Sequence, residues 1–187
     1  MDNAYATTAE QPVSKTKFEI VKEAKRIEES LLHSSKGHFA ASSFWSHFHL
    51  AVGLPLVILS AVAGTAAVKN LDKNSAWAVG IPVAVAVLSA MITFLNPSKE
   101  AATHLKAGNE YDSLMNRTRI FWAIECSTDE PDNVMQSRLL DLSLEKDKLN
   151  KTSPQLPFWA FWSARKGIRR GEAEYLVDKP PPSLPGQ

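Results

Sequence analysis

The chain has 187 residues, with 21 Lys plus Arg against 20 Asp plus Glu and a formal net charge of +1. That balance excludes a strongly basic nucleic-acid binder and an acidic tail protein. The single cysteine, Cys126, excludes an internal disulfide framework and a multi-cysteine zinc site. With 44% apolar residues, 22% charged residues and a mean hydropathy of −0.17, the averages describe an ordinary soluble domain. The distribution along the chain describes something else.

Residues 1–15 form a polar lead-in that the composition predicts to be disordered. Thr16-Lys17-Phe18-Glu19 matches a capping box, with Glu19 placed to reach back to the amide of Thr16. The helix it opens, residues 16–36, carries Ile20, Ala24, Ile27 and Leu31 at 4, 3 and 4 spacing among charged neighbours. This is a narrow apolar stripe suited to a partner helix. The helix is expected to run on past Gly37.

From Gly37 to Val68 no Lys, Arg, Asp or Glu occurs, and after Lys69-Asn70-Leu71-Asp72-Lys73 none occurs from Asn74 to Ser98. Within these gaps, residues 50–68 and 76–95 are apolar except for Ser60 and Thr65 in the first and Ser89, Thr93 and the Trp77 indole in the second. At 1.5 Å per residue each makes a helix of roughly 28–30 Å, the thickness of a bilayer's hydrocarbon core. Two core helices of a soluble bundle are the alternative, but such helices seldom lack charge on every face. Phe44, Trp45 and Phe48 ahead of the first segment and Trp77 at the start of the second suit the headgroup level, making Trp45 and Trp77 interface anchors. The expected arrangement is a two-helix transmembrane hairpin in the inner (plasma) membrane. Its parity puts both long charged flanks on one side, and we place both termini in the cytoplasm.

Small residues recur at four-residue spacing: Ser60 and Gly64, Ala63 and Ala67, Gly80 and Ala84, Ala86 and Ala90. In lipid such rows allow close helix approach, so Ser60, Gly64, Thr65, Gly80, Ser89 and Thr93 are helix-packing or pore-facing candidates. Pro55 and Pro82 predict a kink in each span, with Ser and Thr hydroxyls satisfying the freed carbonyls. No ionisable residue lies within either span, which leaves a proton relay, a voltage sensor or a charged filter without support.

After Asn96-Pro97, Ser98 is expected to cap a helix over residues 98–125, with Glu100 in its first turn. Its stripe is Ala101, Leu105, Gly108, Tyr111, Met115, Thr118 and Trp122. A further helix over 131–151 has Met135, Leu139, Leu142 and Leu149 on one face. The three stripes predict a small cytosolic bundle. Residues 157–170 place four aromatics ahead of Arg165, Lys166, Arg169 and Arg170. Two readings are open: the basic residues contact lipid headgroups or a nucleotide, or Trp159, Trp162 and Ile168 close the bundle. The proline-rich tail, 176–187, is expected to be disordered.

No phosphate loop, zinc-protease motif or nucleophile motif is present, so neither an enzyme nor a bound cofactor is expected. His33, His38, His47, His49 and His104 are scattered, and no metal site is expected from them.

The order of these pieces resembles the SLATT domains, two-transmembrane effector domains associated with SMODS and SLOG proteins in prokaryotic conflict systems. The resemblance covers residues 16–175 and is carried by layout, by Phe94-Leu95-Asn96-Pro97, by Glu110-Tyr111-Asp112-Ser113-Leu114 near His104, and by Ala164-Arg165-Lys166-Gly167-Ile168. It implies an antiphage membrane effector that oligomerises into pores or disrupts the host membrane when a separate nucleotide-signalling or SLOG-type sensor signals. The proline in each span departs from a straight-helix pore. The competing expectation is a membrane-anchored adaptor whose cytosolic helices recruit partners.

Overall fold

The computed structural model describes residues 15–68 and 76–170. The polar lead-in, the connector with Lys69 and Lys73, residues 171–175 of the expected domain and the proline-rich tail lie outside the described residues. Every regular element among the described residues is helical: α1 Lys15–Val68, α2 Ala76–Leu95, α3 Pro97–Ala123, a 3₁₀ turn Glu125–Ser127, α4 Asp132–Thr152 and α5 Phe158–Arg169. The expected all-α class is what the chain forms.

α1 runs 54 residues without a break, straight through Gly37 and Pro55. It is already helical at Lys15, so Thr16 lies inside the first turn and not at the cap, and Glu19 pairs with Lys22 at 3.8 Å. The junction of α2 and α3 also differs from expectation. Asn96 takes the left-handed conformation (φ 42°), which asparagine tolerates better than most residues, and Pro97 opens α3. Asn96 Oδ1 accepts a long hydrogen bond from the Lys99 amide (3.4 Å), so Asn96 takes the capping place and Ser98 sits within the helix.

Two compact units can be distinguished, one of the described residues up to Leu32 with Tyr111–Lys151, the other of His33–Glu110 with those from Thr152 onward. In the first, the stripes of three helices interlock. Ile20, Ala24, Phe121, Cys126 and Met135 form one apolar cluster; Ile27, Leu31, Tyr111, Leu114 and Met115 form another. Leu139 and Leu142 of α4 pack on both, and Leu149 packs on the second. The stripe that suited a partner helix is therefore occupied within the chain itself: Ile20, Ala24, Ile27 and Leu31 are all buried. Polar side chains fix the register. Tyr111 donates to Asn150 Oδ1 (3.0 Å), Trp122 Nε1 donates to Glu28 (2.6 Å) under Lys25, and Arg117 pairs with Glu145.

The second unit holds the apolar segments. Val52 is buried and Gly53 faces Ile92 of α2, but Leu50, Leu54, Val57, Ile58 and Val62 of α1 and Val79, Val83, Val87, Met91 and Phe94 of α2 are exposed. Both segments are long and apolar enough to cross a membrane, and only 6% and 0% of their most apolar windows are buried. A soluble core helix would bury most of that surface. Lower in α1, a Cβ at Gly108 of α3 would lie 2.8 Å from the Phe39 ring, so glycine is what lets α3 approach α1 there.

Leu114, fully buried, should cost about 2–5 kcal/mol when cut to alanine, whereas Leu144→Ala on the exposed face of α4 should cost less than about 0.5 kcal/mol. Thermal unfolding of the detergent-solubilised chain checks the contrast.

Candidate functional site: a buried histidine pair and the apolar helices

One feature of the second unit was not legible as a site in the sequence. His38 of α1 and His104 of α3, 66 residues apart, meet Nδ1 to Nδ1 at 2.9 Å, and both are 2% exposed. The rings are tilted by 37° with centroids 5.2 Å apart. α1 supplies Ser35, His38 and Ser42 at 3 and 4 spacing, all buried; α3 supplies Ala101, His104 and Ala107, also buried. The expected α3 stripe was thus one residue off at this level: His104 faces inward and Leu105 is 47% exposed. A run of small and polar residues carries no hydropathy signal, but the 3–4 recurrence of Ser35, His38 and Ser42 was available as a clue.

A hydrogen bond between two Nδ1 atoms needs one imidazole in the Nδ1–H tautomer as donor and the other as acceptor. Burial holds His38 down from 6.5 to about 4, and the like charge that His104 would carry adds to the effect. Burial also lowers His104, against an opposing pull from Glu100. Both rings are therefore neutral near pH 7, and the bond between them can hold a single shared proton but not two charges. The spacing is that of a hydrogen bond; two imidazole nitrogens on one tetrahedral zinc stand roughly 3.3 Å apart. Among the described residues no three or more His, Cys, Asp or Glu side chains gather into a ligand set. His47 faces the Ser43 carbonyl (2.6 Å), His33 lies beside Phe161, and the half-buried His49 makes no hydrogen bond through Nδ1. Burial raises the Cys126 thiol, which packs in the apolar cluster with Ile20, Ala24, Phe121 and Met135.

The other expected site residues lie apart from this pair. Ser60, Gly64, Thr65, Gly80 and Thr93 are exposed and Ser89 is half-buried. A Cβ at Gly64 or Gly80 would meet nothing within 4 Å, so both glycines face open space. Ser60 donates to the Leu56 carbonyl (2.7 Å) and Thr65 to that of Val62 (2.9 Å). These are ordinary bonds back to the preceding turn, not bonds to the Ala51 carbonyl that Pro55 leaves without its amide. Pro55 and Pro82 are exposed and their helices continue through them. Trp45 is half-buried in an aromatic group with Phe44 and Phe48, and Trp77 is 76% exposed. Arg165, Lys166, Arg169 and Arg170 are exposed at the end of α5. The closure of a core by Trp159 and Trp162 does not occur. α5 instead buries Ala160, Ala164 and Gly167 and leaves Phe158, Trp159, Phe161 and Trp162 exposed.

The sign of the pH dependence follows from neutral histidines in the fold. Unfolded, each imidazole takes up a proton below about 6.5; folded His38 resists until about 4. Their contribution is complete above pH 6.5 and falls as the pH drops toward 4, by about 1.4 kcal/mol per pH unit for each ring that is charged only when unfolded. Unfolding midpoints measured from pH 7.5 to 4.5 should fall for the native chain and fall less steeply for His38→Gln/His104→Gln; equal slopes would rule the pair out as the cause. Compared with known proteins, the chain matches no family model, no curated protein and no solved structure.

Proposed function

We propose that the protein is a two-span inner-membrane protein whose spans form a hairpin, with both termini and a small helical bundle on the cytoplasmic side. The observation that carries this reading is uncovered apolar surface. Among the described residues, eleven large apolar side chains along residues 50–94 of α1 and α2 are exposed. At about 1.5–3 kcal/mol for full burial of each, leaving them in water forgoes on the order of 10 kcal/mol, as much as the whole net stability of a typical domain. A bilayer covers such surface on all sides, and the absence of charge over both segments matches its demand.

The activity we propose is that of a membrane effector in a prokaryotic conflict system, which self-associates through the open faces at Gly64 and Gly80 and permeabilises the host membrane when a separate sensor signals. Small residues facing outward support close contact between copies, because helices in lipid associate through packing and not through hydrophobicity. Two helices per chain enclose no channel, so permeabilisation requires an oligomer. The adaptor reading has less to work with, since the Ile20–Leu31 stripe it would use is buried inside the chain.

Induction in cells under activating conditions should collapse the membrane potential, read with a voltage-sensitive dye. Gly64→Leu with Gly80→Leu should abolish the collapse while leaving the protein in the membrane fraction. A membrane-located oligomer that never depolarises cells would sink the effector reading, and an unaffected glycine variant would move the contact surface elsewhere.

A further inference from the structure

α5 has an unusual division of its surface. Its small residues, Ala160, Ala164 and Gly167, are buried, while Phe158, Trp159, Phe161 and Trp162 are 42–78% exposed. Phe44 of α1 and Trp159 of α5 are in ring contact with centroids 4.6 Å apart, and Phe44 also stacks on Phe48 and meets Trp45 edge-on. The exposed aromatics of α5 are therefore continuous with the aromatic group of α1 that precedes the apolar segment. Phe44 lies six residues ahead of Leu50, about 9 Å along the helix axis, close to the headgroup layer of a bilayer whose hydrocarbon begins near Leu50. The charge is one-sided as well. α5, Phe158–Arg169, holds Arg165, Lys166 and Arg169 and no acid; Arg170 follows it, and the next acid is Glu172.

Resting on the two-span reading above, we infer that α5 is an interfacial helix that seats its Phe158, Trp159, Phe161 and Trp162 rings in the cytoplasmic leaflet and binds anionic lipid headgroups through Arg165, Lys166 and Arg169. Large aromatic rings lower the free energy of a helix lying in the headgroup zone, and each cation beside an anionic leaflet adds about fivefold in binding. A second copy of the chain would leave this cationic end facing its own like charge, which favours lipid as the occupant. Through the Phe44–Trp159 contact the helix fixes the depth at which α1 enters the membrane.

The test uses the full chain reconstituted in phosphatidylcholine vesicles with and without phosphatidylglycerol, carrying Cys126→Ala and a nitroxide at Trp162→Cys or, as a second position, Phe158→Cys. In the mixed vesicles both labels should show an oxygen-to-nickel collision ratio several-fold above that of a label at Leu144→Cys on α4. Arg165→Glu/Lys166→Glu/Arg169→Glu should lower the ratio and remove its dependence on phosphatidylglycerol. Labels that read as aqueous in a chain resistant to alkaline extraction would overturn the inference and leave the two-span reading standing. Extraction of the chain by alkaline carbonate would overturn the two-span reading itself. Dipolar broadening between labels would assign the face to a second copy and overturn the lipid assignment.

Discussion

The hydrophobic effect acts on this chain in two opposite senses, and the boundary between them falls within a single helix. At the start of α1, apolar residues occupy one stripe and close against α3 and α4, as Ile20 through Leu31 do. From Leu50 onward apolar residues occupy every face, and most of them are covered by no helix among the described residues. A helix apolar on one side finds its partner inside the protein; a helix apolar all round has more surface than two neighbours can hide. Both conditions are met along the one continuous 54-residue helix α1.

The histidine pair lies between these regimes along the sequence, after the stripe and before the apolar segment. Leu and Ile would serve a plain core there, yet Ser35, His38, Ser42 and His104 are all buried. A buried imidazole costs little only while neutral and hydrogen-bonded, and His38 and His104 meet both conditions by bonding to one another. The contact is consequently sensitive to protons in a way that a leucine contact is not.

Aromatic side chains do different work from the aliphatic ones. Phe121 and Tyr111 fill the apolar clusters, and Tyr111 satisfies its hydroxyl on Asn150. Phe44, Trp77 and the rings of α5 are exposed, while Trp45 and Phe48, half-buried, join Phe44 in one aromatic group that Trp159 of α5 touches. Rings with one polar edge are at home where apolar and wet surroundings meet. α5 combines that preference with a cationic end, which neither the clusters nor the apolar helices contain.

Local pattern was enough for the helices and their apolar faces. Spacing of 3 and 4 along Ile20, Ala24, Ile27 and Leu31 identified residues that are indeed buried, and the length and purity of residues 50–68 and 76–95 marked two apolar helices, because helical period and charge are properties of the sequence itself. The ends of α2 to α5 were placed within two residues, with Ser98 displaced by Asn96 because a left-handed asparagine can end one helix and cap the next. By contrast, the expected helix 16–36 and the segment 50–68 are stretches of one continuous α1. Two matters were decided only by the tertiary structure. His38 and His104 meet because α1 and α3 approach closely where Gly108 receives the Phe39 ring, a juxtaposition that no local window contains. On α5 the aromatic and the small residues both recur at helical spacing, so the sequence left open which face turns inward. Packing chose Ala160, Ala164 and Gly167, since small residues admit a close neighbour and bulky rings hold one away.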